Sequence, residues 1–338
     1  LCLKKGGNYL KRDIRIDALR ALAIILIVLA HTSPPHIIQN IRTFDVPLIT
    51  MILGMSFVLS NNKTKEKYSS YLIKRFKRLI IPAWIFITFF LFLFFVLSFA
   101  FPDLKHFFSA YIILTSYTLL SGINYVWIIR VFFTIAIFSP AILYISKKTH
   151  KKTAKYAMLL SCLMIQQALY YFDHFTTGKI NLLYQQLIAI SFAYMVAALV
   201  GMWAIKQTKK ENFEMSCFFF FIFFIFGFLN HFSQVNDQKY PPSMYFLSYG
   251  LAVSLLLLAV ITNKKIEEKI NKKSIKWLSS HSLEFYYWHI IPITIIDYSH
   301  IELNWLMKFI IVVITAIFIS KLQLKYIPNF FNPKLKRR

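Results

Sequence analysis

Arg20 and His31 sit in one apolar run, Ile16 to Thr32, reading IDALRALAIILIVLAHT. A guanidinium at membrane depth is costly unless it is paired, solvated or able to snorkel to the interface. At about 100° per residue, the step from Arg20 to His31 closes roughly three turns, so both side chains fall on one helical face. Asp13 and Asp17 continue that stripe, with Asp17 one turn before Arg20. The two ends are ~16 Å apart along the axis. Such a stripe must face other helices or a water-filled cleft, where His31 could serve as a general base and Arg20 could orient charge. Alternatively, Arg20 pairs with Asp17 at the interface and His31 only closes the far end of the helix.

A second constellation is Tyr71–Trp84, YLIKRFKRLIIPAW. Leu72, Phe76, Leu79 and Ile80 share one face, while Lys74, Arg75, Lys77 and Arg78 crowd the other. This pattern suits an interfacial anchor at anionic headgroups. It also suits a phosphate site, because the guanidinium forks of Arg75 and Arg78 match phosphate oxygens better than ammonium groups do. Three further stretches carry polar or aromatic groups at membrane depth. NYVWIIRVFF places Trp127 and Arg130 at the opening of a span, with Arg130 close enough to the surface to snorkel. NDQKYPPSMYFLSYG offers Tyr240 and Tyr245 for stacking on a sugar or for an interfacial belt. SSHSLEFYYWHIIP carries His289 and Glu284; the carboxylate wants a cation, with Arg20 and Lys308 as candidates.

The elements that position these groups are membrane spans. The chain has 338 residues, is 57% apolar and carries a formal charge of +25. That combination fits a membrane protein or a basic nucleic-acid binder, and the distribution of charge separates the two. Apolar runs of membrane length alternate with short Lys/Arg-rich linkers, and no nucleic-acid-reading motif is present. Ten spans are expected, at about 16–32, 43–60, 79–101, 125–146, 154–172, 182–205, 213–230, 244–262, 279–297 and 303–320. Every second loop is basic, and the intervening ones hold only Arg42, Lys105, Lys179 and Lys239. Both termini are therefore expected in the cytoplasm. The fold class is an all-α polytopic bundle in a single domain over 1–338, with basic cytoplasmic tails at 1–15 and 321–338.

Other chemistries find no support. Cys2, Cys162 and Cys217 are scattered and form no disulfide framework, and no metal-ligand spacing occurs among the nine histidines. There is no G-x-S-x-G elbow and no P-loop, so neither a covalent acyl-enzyme nor nucleotide hydrolysis is indicated. The leading span lacks a small-residue cleavage site and is expected to be retained.

The Arg20-x10-His31 spacing within its ALRALAI…AH context resembles the membrane acyltransferase-3 family, which acylates bacterial surface glycans and in which this pair is regarded as essential. Arg75, Arg78, Pro82 and Trp84 resemble the family's Arg-x-x-Arg segment, and the resemblance implies that Arg75 and Arg78 bind acyl-CoA phosphates from the cytoplasm. The Trp288–His289 ending and the Trp127/Arg130 entry are similar to family segments that imply a role in the cleft. Tyr240-Pro241-Pro242 resembles a loop on the acceptor side. The second span departs from the family pattern, with Ile49, Thr50 and Leu53 in place of aromatics and serine and only Gly54 kept, which weakens the role expected of the Ser-Gly pair, close helix packing.

The resemblance implies a multi-pass O-acyltransferase of the bacterial cytoplasmic membrane. It would move an acyl group, acetyl foremost, from cytoplasmic acyl-CoA to a hydroxyl of a surface carbohydrate or lipid-linked glycan. Acyl-CoA is then a co-substrate and the bilayer a partner; no metal and no nucleic acid are expected. The expected mechanism is direct transfer, with His31 as base, assisted by Arg20 and Asp17. The competing class is a transporter or flippase with an intramembrane proton or anion path, and a third option is a non-catalytic scaffold. Paired repeats or helices broken at matching positions would mark transport, and none is evident.

Overall fold

A computed structural model describes residues 12–61, 67–123, 125–299 and 301–331. Residues 1–11 and 332–338 of the expected tails, and Lys63 and Lys65 of the second basic linker, lie outside the described residues. The described residues are helical apart from connecting loops, and one isolated bridge joins Lys239 to Pro242.

The leading helix, α1 (Ile14–Ala30), begins where Asp13 accepts the backbone N–H of Arg15, an N-cap that satisfies one orphan donor. It ends at His31, whose backbone N–H returns to the carbonyls of Val28 and Leu29. Ser33 then takes a positive φ of 53°, and Pro34 and Pro35 prevent continuation until α2 (His36–Arg42). The helix therefore stops three residues before the expected proline break, which leaves His31 at its C-cap.

A short turn leads from α2 into α3 (Asp45–Asn61). Next, α4 (Tyr68–Leu97) runs unbroken from the basic amphipathic segment into the apolar span. The expected span at 79–101 is thus only the outer part of one long helix with Pro82 inside it. After α5 (Ala110–Tyr117), α6 (Trp127–Lys148) and α7 (Lys152–Phe172) follow. The expected span at 182–205 is a composite: α8 (Gly178–Leu183), a π-helical turn over Tyr184–Ala189, and α9 (Ile190–Ala204). Then come α10 (Lys209–Leu229), α11 (Met244–Ile261), α12 (Lys264–Ile270) and α13 (Lys273–Ser280). The chain closes with α14 (Ser282–Tyr298) and α15 (Trp305–Tyr326). The last helix runs six residues into the expected C-terminal tail.

Among the described residues, seven stretches are long and apolar enough to cross a membrane: His36–Asn61, Tyr68–Leu97, Trp127–Lys148, Gly178–Ala204, Lys209–Leu229, Met244–Ile261 and Trp305–Tyr326. The other three expected spans are also helices, α1, α7 and α14. Two are 17 residues long and interrupted by polar groups; α7 is 21 residues long but less apolar, with Lys152, Lys155, Gln166 and Gln167 along it. The chain is a multi-pass membrane protein.

At the centre, α1 packs on α3, α13 and α14, and α3 packs on α9 and α6. The α3–α9 crossing is close because glycines face backbone. A Cβ on Gly54 would overlap the carbonyl oxygen of Ala198, and one on Gly201 would overlap that of Met51. The packing role expected of Gly54 is what the structure shows. On the periphery, the Phe-rich α10 leaves Phe221, Phe224 and Phe228 exposed, as a lipid-facing surface would.

Candidate functional site

A cavity of about 300 Å³ opens between α1, α3, α4, α6 and α14. Arg20, Arg75 and Arg78 line it together with Ser56, Ser60, Ser139, Ser279 and Ser282. Deeper lining comes from Ile24, Ile27, Leu53, Ile128, Phe132, Leu283 and Tyr286. Arg20, Ile24 and Ile27 are successive positions on one face of α1 that line the cavity; of the polar stripe read from the sequence, Arg20 alone is among the lining residues. Arg20 donates to Ser56 Oγ at 2.9 Å and to Ser279 Oγ at 3.5 Å. Among the described residues, none of the three arginines forms an ion pair with a carboxylate; Arg75 lies over the Tyr71 ring at 5.1 Å. Three guanidiniums with no carboxylate at ion-pairing distance line one space whose walls carry both serines and apolar side chains.

Asp17 does not pair with Arg20. It holds Arg12, whose Nη2 donates to Oδ1 at 2.9 Å, and it accepts the hydroxyl of Ser279 at 2.7 Å. Ser279 therefore links the two, with its proton on Asp17 and its oxygen toward Arg20. Arg12 also donates to the Lys276 carbonyl and to Ser280, so Asp17 ties the start of α1 to α13.

His31 does not line the cavity. It follows Ile27 by one turn at the C-cap of α1, and Tyr286, which does line the cavity, stands one turn before His289 on α14. His289, fully buried on α14, has its Nδ1 against the Tyr286 carbonyl. A carbonyl can only accept, so that nitrogen carries the hydrogen and Nε2 keeps a lone pair. His31 Nδ1 stands 2.9 Å from that Nε2 and must donate to it. The consequence is fixed by valence: in the neutral pair His31 Nε2 is an unprotonated acceptor. Ring planes at 10° with centroids 5.2 Å apart fit two imidazoles joined edge to edge through this bond. Tyr125, whose ring centroid is 4.0 Å from that of His31, restricts its rotation, and the Tyr286 hydroxyl donates to the Tyr125 carbonyl.

Other expected site residues fall elsewhere. Arg130 does not snorkel: it is buried, donating from Nε to the Leu119 carbonyl at 3.2 Å and from its terminal nitrogens to the carbonyl and side chain of Gln186. Gln186 sits in the π-helical turn, so Arg130 braces α6 against that irregular backbone. Trp127, one turn before it, meets Tyr240 edge-on at 5.4 Å. Tyr240 is 51% exposed, but Tyr245 is buried, donating to the Ser233 carbonyl and stacked on Phe223 at 4.9 Å. Tyr245 is unavailable to a sugar. Glu284 lies in the first turn of α14, half-buried, where the helix N-terminus favours its charge. Its charge acts on Arg78, and Lys308 pairs instead with Asp297.

Arg12, Ser56, Ser279, Tyr125 and Tyr286 were not expected at the site. Tyr286 sits within the quoted SLEFYYWH stretch, three residues before His289 and one helical turn away, and that spacing is the signal that could have found it.

An arginine-lined cavity and a buried imidazole pair lie in one bundle of membrane helices. The acyltransferase domain model of the acyltransferase-3 family matches residues 13–322, and the chain belongs to that family. No curated protein and no solved structure matches it significantly.

Proposed function

We propose that the chain transfers an acyl group, acetyl foremost, from acyl-CoA to a hydroxyl of a surface glycan or lipid-linked glycan, from the bacterial cytoplasmic membrane. The observation that carries this is the cluster of Arg20, Arg75 and Arg78, unpaired with carboxylates, around a cavity whose lining includes Tyr286, the residue whose carbonyl holds His289. Unpaired guanidiniums suit the phosphates of CoA, and the apolar walls suit its slender arm.

With both termini and the basic linkers in the cytoplasm, and all ten long helices spanning, the arginines face the cytoplasm and His31 faces outward. The acceptor hydroxyl approaches His31 from outside. Its proton passes to His31 Nε2 as its oxygen bonds to the thioester carbon. The resulting imidazolium is stabilised because its Nδ1–H donates to His289 Nε2, a bond strengthened by the charge. The intermediate collapses with cleavage of the C–S bond, the His31 imidazolium returns its Nε2 proton to the departing sulfur, and the CoA thiol leaves toward the arginines. His289 acts through His31 and is a positioning residue; Asp17 and Ser279 hold Arg20. Trp127 and Tyr240 form an aromatic wall on the acceptor side.

Radiolabelled acetyl transfer from acetyl-CoA in membranes tests this reading. Wild type should label glycan, and His31→Ala should lose about 10²–10⁴-fold of that activity, the range for a positioned general base. Labelling that persists in His31→Ala, or no transfer from any acyl donor by wild type, contradicts it.

A further inference from the structure

On the side of His31 away from the arginines, Asp45, Arg42 and Lys239 form a buried ionic cluster with relative exposures of 1%, 3% and 5%. Arg42 is fully engaged: Nη1 is 2.6 Å from Asp45 Oδ2, Nη2 donates to Asn236 Oδ1 at 3.2 Å, and Nε donates to Gln39 Oε1 at 3.1 Å. Asp45 Oδ1 is also taken, accepting the Val46 N–H at 2.8 Å. Lys239 is different. Its ammonium stands 3.6 Å from Asp45 Oδ1 and 5.4 Å from the Tyr240 ring centroid, and among the described residues it makes no side-chain hydrogen bond.

The cluster therefore holds two cations and one carboxylate, and the excess charge resides on a buried amine with three unused donors. A buried ammonium that only shares a carboxylate with an arginine and makes no hydrogen bond is costly, so a further partner for it is expected. A second observation marks the same place. The Tyr194 hydroxyl is fully buried with no partner. Its ring neighbours Trp127 at 6.4 Å, Trp127 meets the Tyr240 ring at 5.4 Å, and the Lys239 ammonium lies 5.4 Å from that same ring, which is half-exposed. His31 caps α1, and α2 leads directly from that end to Arg42, which puts the cluster at the same end of α1 as the base.

We propose that Lys239, with the Tyr194 hydroxyl, forms an anion subsite for the acceptor, which therefore carries a carboxylate or phosphate close to the hydroxyl that is acylated. This rests on the acyl-transfer reading for what the ligand does, but not for whether it binds. An oxyanion accepts from the ammonium and from the phenol together, which supplies the missing partner of each, and Tyr240 and Trp127 would flank its sugar ring. The subsite would hold the acceptor by a charge that His31 does not need to supply.

Calorimetric titration of the purified full chain with D-glucose, D-glucuronate and glucose 1-phosphate tests the subsite without any acyl donor. Wild type should bind at least one of the two anions about tenfold or more tightly than glucose. A preference for glucuronate marks a carboxylate acceptor, and one for glucose 1-phosphate marks a phosphate. Lys239→Met should abolish the preference and Lys239→Arg should retain most of it, with thermal unfolding confirming that each variant is folded. Equal affinity of wild type for all three sugars, no measurable binding of either anion, or an undiminished preference in folded Lys239→Met overturns the proposal. These outcomes are independent of the His31→Ala transfer assay, so either reading can fail alone.

Discussion

At the level of single residues, the chemistry turns on which nitrogen of His31 is free. The Tyr286 carbonyl fixes the tautomer of His289, and His289 fixes that of His31, so a backbone atom sets the basic site two rings away. His289→Ala should lower kcat for acyl transfer at least tenfold, because His31 then loses both its orienting acceptor and the partner of its imidazolium. His289→Gln, whose amide oxygen can still accept from His31 Nδ1, should recover part of the loss. Steady-state kinetics check this, and equal losses in the two variants would indicate packing rather than proton positioning. Periodicity revealed that Arg20 and His31 share a face, but not who their partners are. Arg20 meets Ser56 and Ser279, which lie on other helices, and Asp17 is claimed by Arg12. Side-chain choice across helices is decided by packing, and a single-helix projection does not contain it.

At the level of elements, the helices were legible wherever apolar length and basic linkers alternate. The exceptions have backbone causes. Arg130 reads as a surface-seeking cation until the π-helical turn at Tyr184–Ala189 presents the Gln186 carbonyl to it, and no hydrophobic pattern signals a freed carbonyl. Lys239 did carry a signal, as one of few cations in a loop on the side expected to be poor in them. The glycine crossing of α3 and α9 makes a direct prediction. Gly54→Ala and Gly201→Ala should each destabilise the bundle by about 1–3 kcal/mol or more through overpacking against backbone that cannot yield, seen as lowered thermal unfolding in detergent. The start of α1 makes another. Burial pushes the Asp13 carboxyl up, but its hydrogen bonds to Arg15 and the charge of Arg15 outweigh burial and hold it below the ordinary value. The stability so gained is present above the unfolded-state pKa and is lost as pH falls through the lower folded one. Asp13→Ala should cost about 0.5–2 kcal/mol at neutral pH, the value of an N-cap. Its deficit against wild type should shrink in acid, as thermal unfolding near pH 7 and near pH 3 would report.

At the level of the whole molecule, the account needs donor and acceptor to arrive from opposite faces of the membrane. Orientation follows from the basic linkers, and impermeant thiol labelling of intact cells checks it in a background with the native cysteines replaced. Lys272→Cys should stay unlabelled until the membrane is opened, whereas Phe232→Cys should react from outside. The reverse pattern would invert the bundle and place His31 on the donor's side. The central claim is a division of labour along one path, with arginines holding the donor at one end and His31 working at the other. The most direct measurement is the kinetics of acetyl transfer by purified Arg78→Ala and His31→Ala with varied acetyl-CoA. The account predicts that Arg78→Ala raises KM for acetyl-CoA about 10- to 100-fold, as loss of a charge-assisted contact would, with kcat nearly kept. It predicts that His31→Ala loses kcat by at least about 10²-fold with KM little changed. Near-wild-type kcat in His31→Ala, or an unchanged KM in Arg78→Ala, would contradict it.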